Sequence, residues 1–268
     1  MKLDFYKPLD PVLQEYIQGY YFISESQDSE LLHYWTFPNN YTILSIHQNA
    51  KTEFQANKIV VSKTDDKKIT ADLVIRYTKS IEVVYQAATN EITVYFKPLG
   101  IQKFMHPDIG FIQENRNGNF TPFSDFEEVM HHLFSIPDRQ KQIELFENYW
   151  ISKFREKDVS FIQNILDDVE AGLKIEEIAE KYSFSRQHIS KLFKENMGKT
   201  LSEYKKIHQF RSTLKKNMKV KNLTELAYEN SYYDQSHFIK NFKELTQIKP
   251  TAFFTKVDIE KENIWLYI

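Results

Sequence analysis

Short apolar and aromatic runs, separated by polar turn residues, recur through the first hundred residues of the chain. Breaks such as Pro38-Asn39-Asn40 and Thr89-Asn90-Glu91 consist of residues that favour turns. The runs between them are rich in β-branched and aromatic residues, a composition typical of strands. Strands are therefore predicted at 20–23, 33–37, 41–46, 71–77, 81–86 and 92–96.

The hydrophobic spacing changes to a helical period after Pro98. Apolar residues recur every three or four positions over 101–105, 126–133 and 143–150, with Ser124 and Asp138 as predicted caps of the last two helices. The charged stretch 153–158 is interpreted as a boundary. We therefore predict an α+β chain, with a β-rich sheet or barrel domain and packed helices in 1–155, an all-α domain in 159–256 and a tail in 257–268.

The helical part contains an internal repeat. Ile178-Ala179 recurs as Leu226-Ala227 after 48 positions, and Phe193 recurs as Phe242 after 49. In each copy an alanine allows another helix to cross closely, and a turn follows before a second helix. The repeat predicts two helix-turn-helix subdomains. Their second helices are opened by the capping residues Ser185 and Asp234.

The second helix of each copy has an apolar face and a polar, basic face. Arg and Lys suit guanine edges and phosphates, Gln suits adenine, and Ser adapts to either. A long linker helix predicted at 201–218 would hold the two faces about one DNA turn, roughly 34 Å, apart. Its own cationic face carries Lys205, Lys206, Arg211, Lys215 and Lys216. The predicted DNA-binding residues are Arg186, Gln187, Ser190, Lys191 and Lys194 in the first copy and Gln235, Ser236, His237, Lys240 and Lys243 in the second.

The charge distribution singles out the same region. Residues 181–256 contain 16 Lys and Arg against 6 Asp and Glu, a net charge of +10, whereas the whole chain has −2. This asymmetry favours a polyanionic partner. Two other interpretations are open, because basic helix faces are often only solvated and a helix-turn-helix can bind protein. The duplication, the paired basic faces and the connecting helix together favour DNA.

Composition excludes several other functions. The chain has 268 residues and no cysteine, which rules out disulfides, thiolate-ligated zinc and cysteine nucleophiles. Its six glycines form no phosphate-cradling loop, and no GxSxG nucleophile motif is present. His33, His47 and His106 are isolated in the sequence, so no metal, cofactor or enzymatic activity is predicted. No apolar run approaches the roughly 18 residues that span a bilayer, and we expect a soluble, intracellular protein without a membrane partner.

Residues 159–256 resemble the DNA-binding domain of the AraC family of bacterial transcription regulators. The resemblance rests on the strings LKIEEIAEKYSFSRQHISKLFK at 173–194 and YYDQSHFIKNFK at 232–243, followed by Pro250 and Phe253. It implies a sequence-specific regulator. By position, the base-facing residues it implies are Arg186, Gln187, Ser190 and Lys191 in the first copy and Gln235, Ser236 and Lys240 in the second. His188 and His237 are interpreted as phosphate or structural contacts.

The chain departs from the family pattern at several turns. Ser183 and Ser231 stand where the family usually has glycine, and in a left-handed conformation each costs about 1 kcal/mol. Thr200-Leu201 stands where proline is frequent, Gln209 where arginine is frequent and Gln247 where glycine is common. None of these departures removes a base-reading side chain.

By the same resemblance, residues 1–155 form an effector or dimerisation domain, which in such regulators is often a cupin-like β-barrel. Tyr34, Trp35, Tyr85 and Tyr95 are predicted to line an apolar effector pocket, although core packing explains the same residues. The apolar stripe of the helix after Asp138 suggests a symmetric pair of chains. The apolar stretch 264–268 either associates with another molecule or docks onto its own N-terminal domain, which we favour.

The leading prediction is a cytoplasmic, nucleoid-associated transcription regulator that binds double-stranded DNA. RNA polymerase, a small-molecule effector and a second copy of the chain are further candidate partners. Two alternatives are kept. One is an enzyme whose barrel carries out chemistry and whose basic region only localises it on DNA. The other is a nucleoid-binding protein without sequence preference.

Overall fold

The computed structural model describes residues 1–25, 30–105, 120–217 and 235–256, with only the backbone at 215–217 and 256, together with the backbone of Leu266–Tyr267. Predictions made for Ser231, Asp234, His106 and the first helix of the second repeat copy lie outside the described residues. The chain divides into two compact units. The first is made of Met1–His33, Tyr41–Ile75 and Val83–Val159, and the second of Tyr34–Asn40, Arg76–Glu82 and Ser160–Ile268.

The N-terminal region is built from strands. They are β1 (Lys2–Tyr6), β2 (Ile17–Ser24), β3 (His33–Thr36), β4 (Thr42–Gln48), β5 (Ala50–Gln55), β6 (Lys58–Lys63), β7 (Ile69–Val74), β8 (Ile81–Tyr85) and β9 (Asn90–Phe96). Each strand predicted from the sequence is present. Strands β1, β5 and β6 were not predicted, and β5 and β6 pair as an antiparallel hairpin.

One five-stranded sheet has the order β1-β2-β9-β4-β7, with antiparallel neighbours throughout. A second has the order β10-β3-β8-β6-β5, where β10 is Leu266–Tyr267. Successive side chains of a strand point to opposite faces. Strand β4 accordingly places Leu44 and Ile46 in an apolar core and turns Ser45 and His47 to the other face. The first sheet therefore has one apolar face and one polar face.

The apolar face of this sheet is covered by helices. Helix α1 (Pro11–Tyr16), a 3₁₀ turn (Gly100–Lys103), α2 (Phe126–Ser135) and α3 (Arg139–Lys153) supply its partners. Asp138 caps α3 as predicted, since its carboxylate accepts a hydrogen bond of 2.8 Å from the Lys141 amide. The predicted Ser124 cap of α2 was wrong. The cap position is Asp125, whose carboxylate instead binds Lys153 Nζ at 2.6 Å.

The apolar stripe of α3 lies inside the first unit. Phe146 and Trp150 have no exposed surface, and Ile143 and Tyr149 are 5% exposed. The Trp150 ring is 5.0 Å from Phe96 and 5.6 Å from Phe104, centre to centre. The stripe is thus occupied within its own chain, which corrects the expectation that it joins two copies.

The second unit is mainly helical. Its helices are α4 (Ser160–Glu170), α5 (Ile175–Tyr182), α6 (Arg186–Met197), α7 (Leu201–Asn217), α8 (Gln235–Thr246) and α9 (Pro250–Lys256). The tail contributes β10, in which Leu266 pairs with Thr36 and Tyr267 with Trp35. Trp35 and Thr36 belong to the second unit, so docking of the tail onto the N-terminal domain stays a prediction.

The prediction of a β-rich N-terminal region followed by a helical C-terminal region is confirmed. The domain boundaries at 155 and 159 stay a prediction. Among the helices that the structure describes, none is both long enough and apolar enough to cross a membrane.

Candidate nucleic-acid interface

The first helix-turn-helix is formed by α5, α6 and the turn between them. Ile178 and Ala179 on α5 and Ile189 and Phe193 on α6 are buried, so the two helices pack through the predicted apolar positions. Ser185 caps α6, its hydroxyl oxygen accepting a hydrogen bond of 3.1 Å from the His188 amide. Capping satisfies an amide that would otherwise lack a partner at the helix start.

The turn itself is strained at Ser183, which has φ 58° and ψ 37°. This is the left-handed conformation considered for the position from the sequence, and it disfavours residues with a Cβ. Gln247, after α8, is also left-handed, with φ 61°. Both positions thus hold the backbone shape that glycine adopts most easily.

Replacing Ser183 with glycine is expected to raise the free energy of unfolding of the full-length protein by about 0.5–1 kcal/mol, because the left-handed strain is removed. Chemical denaturation measures the change. Gly172→Ala is the matched control, since Gly172 has φ 96° with open space around its Cβ position, and it should destabilise. A Ser183→Gly variant less stable than the parent would contradict the strain.

The face of α6 opposite its apolar side carries all five residues predicted to bind DNA in the first copy, and all five are exposed. Arg186 Nη1 lies 3.1 Å from Glu176 Oε1, and both side chains are more than half exposed. A pair so exposed contributes little to stability. Arg186 can therefore exchange Glu176 for another anion at low cost.

Helix α8 has the same two-sided arrangement. Phe238, Phe242 and Leu245 are buried on one side. The five residues predicted for the second copy are exposed: Gln235, Ser236, His237, Lys240 and Lys243. The side chains of His237 and Asn241 lie 3.1 Å apart on this helix.

Helix α7 connects the two copies, as predicted, but its cations do not form a free face. Lys205 Nζ donates to the Leu173 carbonyl, Lys206 pairs with Glu244, and Arg211 Nε donates to the Pro38 carbonyl at 2.6 Å. These three side chains are half-buried and make their contacts inside the second unit. The side chains of Lys215 and Lys216 lie outside the described residues.

One groove in the second unit is bordered by residues of α6, α7 and α8. Its lining includes the five candidate residues of α6, Ser202, Lys205, Lys206 and Gln209 of α7, and His237 and Asn241 of α8. The two helices expected to contact DNA thus border the same concave surface.

The family comparison bears on this surface. Residues 178–256 match the family model described as a helix-turn-helix domain. These residues are an AraC-type helix-turn-helix domain. Domains of this type bind DNA, and the chain is a DNA-binding transcription regulator. A search of curated proteins found no sequence match.

Solved structures similar to the chain include ToxT from Vibrio cholerae, with 12% identity, 95% of this chain and 98% of that chain covered, and a TM-score of 0.44. ToxT bound to (E)-4-(8-methylnaphthalen-1-yl)but-3-enoic acid has 11% identity, coverage of 95% and 99%, and a TM-score of 0.45. ToxT bound to an unsaturated fatty acid has 12% identity, coverage of 87% and 92%, and a TM-score of 0.43. With TM-scores below 0.5, the assignment of the AraC-type domain rests on the family model alone.

The four aromatic residues predicted to line an effector pocket fall in different units. Tyr34 and Trp35 belong to the second unit, which contains the AraC-type domain, and Trp35 packs against its apolar cluster. Tyr85 and Tyr95 belong to the first unit and are each 3% exposed. Tyr85 donates its hydroxyl hydrogen to Glu91.

A buried polar cluster surrounds Glu91 in the first unit, and no sequence pattern indicated it. Glu91 accepts hydrogen bonds from Tyr21 at 3.0 Å and from Thr93 at 2.6 Å, besides that of Tyr85. His47 Nδ1 lies 3.2 Å from Glu91, and His47 Nε2 lies 3.8 Å from Asp72. No group of three or more metal-ligating side chains is arranged to hold an ion in the described part of the chain.

The cluster has defined protonation preferences. Burial disfavours charged His47, but the carboxylates of Glu91 and Asp72 outweigh burial and raise the pKa of His47. For Glu91, burial opposes ionisation, but the charge of His47 and hydrogen bonds from His47, Thr93 and Tyr85 lower its pKa. The folded state thus favours protonated His47 beside ionised Glu91.

The stability of the protein should therefore fall as pH rises above about 6.5, the usual pKa of histidine, through the raised pKa of His47. The contribution of His47 is complete below 6.5, where the unfolded chain is protonated too. The contribution of Glu91 to stability is complete above about pH 4.3, the usual pKa of glutamate. It is lost as pH falls through the lowered pKa of Glu91 in the folded state.

Urea denaturation across this range measures the decline, and His47→Gln should flatten it. A slope unchanged in His47→Gln would contradict this account.

Proposed function

We propose that this protein is a sequence-specific transcription regulator in which α6 and α8 enter successive major-groove segments of one duplex. The observation that supports this most is the two-sided character of both helices. Ile189 and Phe193 on α6 and Phe238 and Phe242 on α8 are buried. All ten predicted contact residues are exposed on the other sides. Polar groups on such a face suit base edges and phosphates.

In the proposed complex the two helices read different parts of the site. Arg186 and Gln187 at the start of α6 would contact base edges, with Ser190 and Lys191 one turn further along. On α8, Gln235, Ser236 and Lys240 would do the same. Lys194, His237 and Lys243 would bind phosphate, which makes the affinity fall as salt rises.

We also propose that a small molecule or a partner modulates the first unit. The polar face of its first sheet supports this, because it buries the ionisable side chains of His47, Asp72 and Glu91. Burying such groups costs free energy that a core with a purely structural role could avoid. Tyr85 and Tyr95 remain candidate ligand contacts. RNA polymerase and a second copy of the chain remain proposed partners, and the regulator would act on the chromosome in the cytoplasm.

Selection from a pool of random duplex DNA tests the proposal. It is carried out at about 0.15 M salt, because salt weakens the electrostatic, sequence-independent part of the binding. The expected result is enrichment of one motif with two conserved segments. Enrichment of no motif, with equal competition by random DNA, would instead support a non-specific nucleoid-binding protein. Metal analysis of the purified protein addresses the remaining alternative, since a stoichiometric metal would favour an enzymatic barrel.

A further inference from the structure

The helical unit includes two segments from much earlier in the chain, Tyr34–Asn40 and Arg76–Glu82. Phe37 of the first segment has no exposed surface and lies in the apolar cluster of α7, α8 and α9. Its ring is 4.8 Å from that of Phe253, at an interplanar angle of 68°. Within the described residues, the apolar cluster of α7, α8 and α9 thus includes a residue from outside the AraC-type domain.

Polar contacts fix the first segment along α7. Arg211 Nε donates to the Pro38 carbonyl at 2.6 Å, and Arg211 Nη2 donates to the Phe37 carbonyl. Asn40 Nδ2 donates to the Tyr204 carbonyl at 3.2 Å, about two helical turns away. A planar guanidinium that contacts two adjacent carbonyls sets both position and direction.

The second segment contacts the start of α7 and the end of α8. Arg76 pairs with Glu203 in the first turn of α7. The Ser80 amide donates to the Leu245 carbonyl at 2.9 Å, in the last turn of α8. Both segments therefore contact the linker helix, and the second also contacts α8 near its end.

These contacts leave the proposed DNA-binding face of α8 uncovered. Phe37 shares a cluster with Phe238, Phe242 and Leu245, which lie on the buried side of α8. Gln235 and Lys240 are exposed. The segments therefore do not block the face sterically, and their effect on DNA binding must come from the placement of α8.

We propose that Phe37 and Arg211 are positioning residues that hold α8 at the orientation relative to α7 that the second groove segment requires. This proposal rests on the proposed function, because it concerns how the second half of the site is read.

Full-length Arg211→Ala tests the proposal on the motif selected with the parent protein. Affinity is measured for the intact site and for sites with base changes in one half only. Arg211→Ala should lose tenfold or more of its discrimination in the half read by α8 and keep that of the α6 half within about twofold. Arg211→Lys keeps a positive charge and one donor nitrogen, which can contact one of the two carbonyls, and should recover part of the loss.

Phe37→Leu and Phe37→Ala form a second pair. Leucine fills most of the phenylalanine space, so Phe37→Leu should keep discrimination in both halves, whereas Phe37→Ala should lose it in the α8 half. Circular dichroism at the assay temperature establishes that each variant is folded.

The results distinguish failure of the proposed function from failure of the positioning role alone. A parent protein that discriminates in neither half overturns the proposed function and this proposal with it. A discriminating parent whose Arg211→Ala variant loses nothing, or loses equally in both halves, overturns only the positioning role.

Discussion

Arg186→Ala is expected to weaken base discrimination in one half of the selected site by about 1–3 kcal/mol and to leave the other half unchanged. Arg186 is exposed at the start of α6, and its ion pair with the exposed Glu176 contributes little to stability. The loss of a base contact removes the energy difference between right and wrong bases. Binding titrations with single-base variants of the site measure it.

Gln235→Ala should produce the complementary result, with discrimination lost in the half read by α8. Lys194→Ala removes a proposed phosphate contact and serves as a comparison. Its binding should weaken on all sequences, and the slope of log affinity against log salt concentration should fall by about one. Lys51→Ala is a control in the first unit, where Lys51 is exposed beside Glu53, and it should bind like the parent. Uniform weakening by Arg186→Ala or Gln235→Ala would contradict their assignment to base edges.

Trp150→Ala is expected to cost about 3–5 kcal/mol of the free energy of unfolding, the largest effect among the stability predictions. The Trp150 side chain is fully buried and contacts Phe96, Phe104, Phe146 and Tyr149. Its removal leaves a large cavity in the core beneath the first sheet. Equilibrium denaturation in urea gives the loss directly.

Trp150→Phe is the matched control. Within the described residues, Trp150 Nε1 has no hydrogen-bond partner, so phenylalanine removes volume without leaving a polar group unpaired. A loss of about 1–2 kcal/mol is expected. If α3 instead joined two copies, the stability of the parent would rise with protein concentration and that of Trp150→Ala would not.

The sequence predicted the helical unit best where its signal was local. Ile189 and Phe193 recur at helical spacing, and this spacing alone determines which face of α6 is exposed. The repeat then carried the same inference to Phe238 and Phe242. Strands β5 and β6 were missed although Lys51 to Phe54 alternates between polar and less polar residues, because the hairpin is short and half exposed.

Contacts between distant residues could not be predicted. Glu91 and His47 are separated by a long stretch of sequence, and only the pairing of β4 with β9 brings them together. The sequence placed Arg211 on the cationic face of the linker helix, but a positive charge does not indicate which anionic or polar group it will contact, and the structure pairs it with the Pro38 carbonyl. Phe37 lies at the end of a predicted strand, and its sequence context does not distinguish it from the other aromatic residues of the strands. Its place in the apolar cluster of α7, α8 and α9 depends on tertiary packing.

Methylation interference at guanine N7, an atom in the major groove, measures on the selected site whether both helices enter the major groove of one duplex. Two clusters of interfering guanines are expected on one face of the duplex, about 10 base pairs apart from centre to centre. Arg186→Ala should abolish part of one cluster and Gln235→Ala part of the other. A single cluster, or two clusters on opposite faces of the duplex, would contradict the reading of one duplex by both helices.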